Sequence, residues 1–306
     1  MKKRRLGNSE LFVSEMGFGC MSLGTDEKKA AHILHAAIDE GITYFDTADL
    51  YDFGRNEEIV GKALKPFRDK VVLSTKAGNR WNERRDGWSW DPSKQYIKAA
   101  VKDSLKRLGT DYIDLYQLHG GTIDDPIDET IEAFEELVQE GYIRYYGISS
   151  IRPNVIKQYL KRSSIVSIMM QYSLFDRRPE EWLPLIEENH VSVIARGPVA
   201  KGLLSDKMLS KASGGVKDNG YLDYSFQELE HILPLIAEKL PSRSMNEIAL
   251  KYVLTSSTVG AIIPGASTIE QLQENVKAVN SPPLTEEEQK ILNEITKQSI
   301  YESHRH

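Results

Sequence analysis

The stretch ITYFDTADLYDFGRNEE, Ile42 to Glu58, passes from an apolar run through a polar turn into a helical pattern, and sets Asp46 and Tyr51 at the join. ITYFD reads as a short buried strand, and the residues from about Asn56 to Lys65 read as a helix. A strand followed at once by a helix is the unit from which α/β folds are built.

The same unit repeats in both directions along the chain. Upstream, Asp26 is placed to cap a helix whose apolar positions, Ala30, Ile33, Leu34, Ala37 and Ile38, keep helical spacing until Gly41. Downstream come VVLSTK (71–76), a helix opened by Asp91 and Pro92 and closed by Gly109, and the strand YIDLYQLH (112–119). Then follow helix 127–140, strand IRYYGIS, a helix from Pro153, strand IVSIMMQ, helix 179–189 and strand VSVIAR. Helices from Phe226 and Met245, strand AIIP and helix 269–279 complete the series. With VSEMGFG as the first strand, about eight strands alternate with helices, which predicts an α/β fold, a closed (β/α)8 TIM barrel. An open doubly wound sheet is the alternative that periodicity does not separate. No linker or composition break divides the chain, so residues 1–306 are expected to form one barrel domain.

RRLGNSELFV (4–13) reads as an N-terminal β-hairpin around Gly7 and Asn8, expected to cover one end of the barrel. The segment from Gly197 to Tyr224 is the longest break in the pattern and is expected to be mobile, either as a flap over a ligand or as a surface loop.

Composition limits the function classes. The 306 residues are 40% hydrophobic and 27% charged, an ordinary globular balance, and the net charge of −6 argues against a broad basic surface for nucleic acid or anionic lipid. The lone Cys20 excludes an internal disulfide. MKKRR is not followed by a continuous apolar segment, and no stretch is long enough to span a bilayer, so a cytoplasmic location is expected.

In a parallel barrel the active site lies where strands end. Asp46 ends ITYFD, Tyr51 follows five residues later, Lys76 ends VVLSTK and His119 ends YIDLYQLH. Singly, each has a plain structural reading: a turn cap, a snorkelling amine, a core imidazole. Together they suit the protonation of an oxygen on which negative charge develops. A free phenol has a pKa of ~10, but an ammonium at ~4 Å in an effective dielectric of ~20 contributes ~4 kcal/mol, enough to lower it by about three units. Lys76 supplies that charge, Asp46 keeps a buried lysine protonated, and His119 donates a hydrogen bond to the reacting oxygen. One Asp, one His and one Lys do not make a metal set. His32 and His35 read as solvated surface residues.

Two stretches resemble phosphate-binding turns. GFGCMSLG (17–24) has the first two glycines of a dinucleotide fingerprint, but Ser22 stands where the third belongs. PGASTIEQLQEN (264–275) turns from a strand into a helix start at the same barrel end as the four residues. Its Ser267 and Glu270 also fit a capping box that needs no ligand.

With DTADLYDFGRNEEIVGKAL, VVLSTKAG, SLKRLGTDYIDLYQLH, GISS, MMQYS, GLL and PGASTIEQLQEN in that order, the chain resembles the aldo-keto reductase family over nearly its whole length. The resemblance implies a barrel that binds NADP(H), in preference to NAD(H), without a Rossmann fold, and a tetrad of Asp46, Tyr51, Lys76 and His119. Tyr51 would be the proton donor. Asp46, Gly19, Cys20, Met21, Ser149 and Gln171 would meet the nicotinamide side. Gly197, Pro198, Val199, Ala200, Lys201, Gly202 and Lys207 would meet the pyrophosphate. Gly265, Ser267, Gln271, Glu274 and Asn275 match the adenosine-phosphate segment.

There are departures from the family pattern. Arg196 stands where an aromatic ring usually stacks on the nicotinamide, and its flat guanidinium can replace that ring. Ser150 replaces a common asparagine. The adenosine segment lacks the Arg or Lys often found near Thr268, for which Lys207, Lys211 or Lys217 could stand in. Trp81, Trp88 and Trp90 fall between Lys76 and His119 and are expected to wall the substrate site, with Tyr51 and His119 facing the substrate.

The implied function is reversible reduction of an aldehyde or ketone to an alcohol by a monomer acting on a small molecule. The alternatives are a nucleotide-binding regulatory subunit resembling channel-associated β subunits, and a sugar-processing barrel without nicotinamide.

Overall fold

The structure, a computed structural model, describes residues 1–306 except the side chain of Lys211. Strands β1 (Lys3–Arg5) and β2 (Phe12–Ser14) pair antiparallel, with Arg4 opposite Val13. This is the expected hairpin, and it closes the lower end of the barrel. Leu6, Leu11 and Val13 bury against Tyr44, Leu115, Val166 and Ile194. Removing such side chains from water contributes roughly 1.5–3 kcal/mol each. Gly7 lies at φ +49°, and a Cβ there would sit 2.3 Å from the Val166 carbonyl oxygen, so the turn requires glycine.

The remaining strands are β3 (Phe18–Gly19), β4 (Tyr44–Asp46), β5 (Val72–Ala77), β6 (Asn79–Trp81), β7 (Trp88–Trp90), β8 (Ile113–Leu118), β9 (Ile143–Ser149), β10 (Ser167–Gln171), β11 (Ser192–Arg196) and β12 (Val259–Ile263). All but the β6–β7 hairpin lie in one sheet of eight strands, in chain order, and every neighbouring pair is parallel. Met16 pairs with Ile262 in parallel and brings the two edges together. The Gly17 N–H donates to the Ile262 carbonyl, and the Ile262 N–H to the Glu15 carbonyl, each at 2.9 Å. The fold is therefore a (β/α)8 TIM barrel rather than an open sheet.

The helices are α1 (Glu27–Asp39), α2 (Arg55–Leu64), α3 (Lys94–Leu108), α4 (Ile127–Gln139), α5 (Pro153–Arg162), α6 (Leu183–Glu188), α7 (Gly214–Asn219), α8 (Phe226–Lys239), α9 (Met245–Leu254), α10 (Ile269–Asn280) and α11 (Glu286–Ile295). Their apolar stripes pack on the outside of the sheet. α1 buries Ala30, Ile33, Leu34 and Ala37 of its predicted stripe and leaves Ile38 half-buried, and Asp26 caps it by accepting from the N–H groups of Lys28 and Lys29. Among the described residues no helix is long and apolar enough to cross a membrane.

Several local expectations need correction. Ser93, not Asp91, caps α3, and Asp91 instead accepts from the Ser93 N–H and hydroxyl. The helix expected over 179–189 is a 3-10 turn, Arg178–Glu181, followed by the short α6. Pro179 and Pro184 each lack an N–H, so each begins a helical segment and neither sits inside one. His35 is half-buried, with Nε2 at 3.0 Å from the Ala63 carbonyl oxygen. The segment after β11 carries 3-10 turns at Ala200–Gly202 and Met208–Lys211 and then α7, with Val216, Tyr221 and Tyr224 buried.

Candidate active site

β4, β5 and β8 are adjacent, and each carries a functional group to the same rim. Asp46 is the last residue of β4, Lys76 lies near the end of β5, and His119 follows β8 directly. Tyr51 begins a 3-10 turn, Tyr51–Gly54, after β4.

The Lys76 ammonium has three hydrogens and three partners. It donates to Asp46 Oδ2 at 2.6 Å, to the Thr47 carbonyl at 2.7 Å and to the Tyr51 hydroxyl oxygen at 3.4 Å. Because Tyr51 accepts from Lys76, its own hydrogen is free to point elsewhere. Burial lowers the Lys76 pKa, but the Asp46 charge and the hydrogen bonds outweigh it and leave the ammonium held above the usual lysine range. Burial pushes the Asp46 carboxyl up, against the pull of Lys76, Ser74 and Gln117.

The second Asp46 oxygen is held by residues outside the expected tetrad. Ser74 Oγ donates to Oδ1 at 3.2 Å, and Gln117 Nε2 lies 3.3 Å from the same oxygen and 2.8 Å from Ser74 Oγ. A sequence signal for both existed. Ser74 is two residues from Lys76 and Gln117 two from His119, so the strand period puts them on the same faces. Asn56 was also missed. It joins the β3 and β4 exits by donating to the Cys20 carbonyl and accepting from Thr47 Oγ1.

The His119 ring stands edge-on to Tyr51, with centroids 5.9 Å apart. Burial, with smaller contributions from the Lys76 and Arg196 charges, pushes its pKa down to about 3, so the imidazole is neutral. Nδ1 is buried without a protein partner. Asn79 fixes the backbone by donating to the His119 carbonyl at 3.0 Å.

All four residues open onto one cavity of about 1090 Å³. Gly19, Met21, Ser149, Gln171 and Arg196 lie on its wall near them. Gly197, Val199, Lys201 and Gly202 continue it, and Gly265, Ser267, Gln271, Glu274 and Asn275 complete it at the start of α10. Arg196 donates to Gln171 Oε1 at 3.3 Å, while Gln171 Nε2 donates to the Tyr221 hydroxyl at 3.1 Å. At α10 the cap is Thr268 rather than Ser267, accepting from the Gln271 N–H, while Gln271 Oε1 accepts from the Ser267 N–H, so the expected Ser267–Glu270 box does not form.

Cys20, Pro198, Ala200 and Lys207 do not line the cavity. The Cys20 side chain is fully buried, where burial pushes its thiol pKa up. Trp88 and Trp90 are on the wall, but Trp81 is not; it packs behind the Tyr51 turn, beneath Arg107. Among the described residues the cations on the wall are Lys76, Arg152, Arg196 and Lys201. Lys217 is not among them, and the Lys211 side chain lies outside the described residues.

The cavity suits a long ligand of mixed character. One end holds a hydrogen-bond donor beside a buried ammonium. The other is a helix start with amide and hydroxyl groups, a setting that favours phosphate oxygens, and Arg196 and Lys201 also lie on the wall.

Residues 15–297 match the family model described as Aldo/keto reductase family. An uncharacterized oxidoreductase of Bacillus subtilis (strain 168), YqkF, is 65% identical over 305 residues, covering the whole of both chains. The holo form of the aldo-keto reductase AKR11C1 from Bacillus halodurans superposes with a TM-score of 0.94 at 61% identity, again over the whole of both chains. The NADH-specific methylglyoxal reductase of Escherichia coli (strain K12) is 31% identical over 307 residues, covering 92% of this chain and 94% of that one.

Proposed function

The chain belongs to the aldo/keto reductase family of oxidoreductases, and we propose that it reduces aldehyde or ketone carbonyls reversibly, with Tyr51 as the proton donor. The observation that carries this reading is the Lys76 ammonium, donating to the Tyr51 hydroxyl while an aspartate holds it charged. When bound, the nicotinamide supplies hydride to the carbonyl carbon, or accepts it from the alcohol.

Tyr51 gives its free hydrogen to the carbonyl oxygen. The ammonium at 3.4 Å stabilises the phenolate left behind. Neutral His119 orients the carbonyl through one ring N–H. Trp88, Trp90, Gly120 and Gly121, all on the wall, are assigned to the substrate.

Gly19, Ser149, Gln171 and a stacked Arg196 are assigned to the nicotinamide end. Gly197, Val199, Lys201 and Gly202 are assigned to the pyrophosphate, and Gly265, Ser267, Gln271, Glu274 and Asn275 to the adenosine end. The cofactor proposed is NADP(H) before NAD(H), a preference that rests on the family resemblance. The NADH-specific Escherichia coli relative makes the ratio of kcat/KM for the two cofactors the informative measurement. A cytoplasmic monomer is part of the proposal, consistent with one buried cysteine.

The test is Tyr51→Phe, assayed by loss of reduced-nicotinamide absorbance with a panel of aldehydes. Cofactor binding, read by quenching of Trp88 and Trp90 fluorescence, should persist while turnover falls on the order of 10² to 10⁴-fold. Turnover near that of the wild type refutes the assignment.

A further inference from the structure

The turn that presents Tyr51 is strained. Asp52 and Phe53 take φ of 48° and 52°, and Gly54 takes 85°, so three consecutive residues lie in the left-handed region and two of them carry side chains. Such a conformation persists only where surrounding contacts over-determine it.

Those contacts come from the side away from the cavity. A Cβ on Gly54 would lie 2.7 Å from Arg107 Cδ and 3.1 Å from Trp81 Cη2, so both side chains press directly on the glycine. The Phe53 ring meets Trp81 edge-on at 6.4 Å, and the Arg107 guanidinium lies 5.1 Å over the Trp81 ring. Arg107 is itself fixed, because its Nε donates to Glu57 Oε2 at 2.6 Å. The other Glu57 oxygen accepts from Thr75 Oγ1, also at 2.6 Å, and Thr75 is the neighbour of Lys76 on β5. One buried carboxylate thus ties the strand that carries the ammonium to the clamp on the turn that carries the phenol.

We infer that Trp81 and Arg107 are positioning residues for Tyr51. By packing on Phe53 and Gly54 they hold the strained turn that sets the hydroxyl beside Lys76, and neither lines the cavity. The inference rests on the reading of Tyr51 as the proton donor.

Arg107→Met would leave Glu57 buried without its cation, so the decisive variants are Trp81→Ala and Trp81→Phe in the full chain, each alone and combined with Tyr51→Phe. Trp81→Ala should lower kcat on the order of 10- to 100-fold, as expected when a reacting group is displaced by a fraction of an ångström. The carbonyl KM and the NADPH Kd should stay within about twofold, because Trp81 itself is not on the cavity wall. Trp81→Phe, which keeps a ring against Gly54, should restore most of kcat. In the Tyr51→Phe background Trp81→Ala should cost nothing further, since both changes act on one group.

Wild-type kcat in Trp81→Ala, with Tyr51→Phe crippled, overturns the clamp and leaves the proton donor standing. Equal losses from Trp81→Ala in both backgrounds also overturn the clamp. Wild-type turnover in Tyr51→Phe overturns both readings.

Discussion

Lys76 Nζ lies 2.6 Å from Asp46 Oδ2, the lysine side chain wholly buried and the aspartate nearly so. Breaking a buried ion pair from one side leaves the other charge uncompensated, at a cost of about 3–5 kcal/mol. Asp46→Asn should therefore lower the urea unfolding midpoint, and turnover should fall on the order of 10² to 10⁴-fold. Adding Lys76→Met should recover stability but not turnover. An Asp46→Asn protein with wild-type stability would show that the pair does not hold the charge.

Gln117 commits both amide hydrogens, one to Asp46 and one to Ser74. Gln117→Met keeps the length and removes both. The Gln117 hydrogen bond holds the Asp46 carboxyl down, so its loss should make protonation of Asp46 easier. The acid limb of kcat should move up in pH accordingly, with KM little changed. A pH profile that superposes on the wild type would exclude this role for Gln117.

His119 titrates at about 3 in the folded chain against an ordinary 6.5, chiefly through burial. Between those values the unfolded chain binds a proton that the folded chain refuses, so stability falls as the pH drops from 6.5 towards 3. His119→Gln should remove this component and flatten the fall in unfolding midpoint with acid. A curve as steep as the wild type would place the acid sensitivity in other groups.

Asp49 behaves in the opposite sense. Burial, helped by the Glu57 charge, raises its carboxyl from 3.8 to about 8, against Arg107 and a hydrogen bond from Tyr96, and Oδ1 has no partner. Between 3.8 and 8 the folded chain keeps a proton that the unfolded chain has released, so stability falls as pH rises through that window. Asp49→Asn should gain stability relative to the wild type at pH 9 and show no such gain at pH 4. Equal differences at the two pH values would contradict the buried, protonated carboxyl.

Much of the site could be read in the sequence because a barrel converts chain order into position. Asp46, Lys76 and His119 each follow or end an apolar run, and parallel strands bring all such ends to one rim. Ser74 and Gln117 carried the same periodic signal, yet polar residues in a strand run can face either a helix or the barrel axis, and only the assembled sheet shows which. The helix caps at Ser93 and Thr268 were misplaced by one or two residues because neighbouring Asp and Ser offer equivalent acceptors, and the direction of the chain entering the helix selects between them.

The local pattern of apolar and polar residues determined the order of strands and helices and the candidate proton-transfer groups, because side-chain period depends only on the backbone conformation of each segment. Closure through Met16 and Ile262, the bond between Gln117 and Asp46 across 71 positions, and the seat of Trp81 behind the Tyr51 turn were decided by tertiary packing. Loop paths and long side chains settle where neighbours distant in the chain leave room, and that space exists only once the barrel has closed.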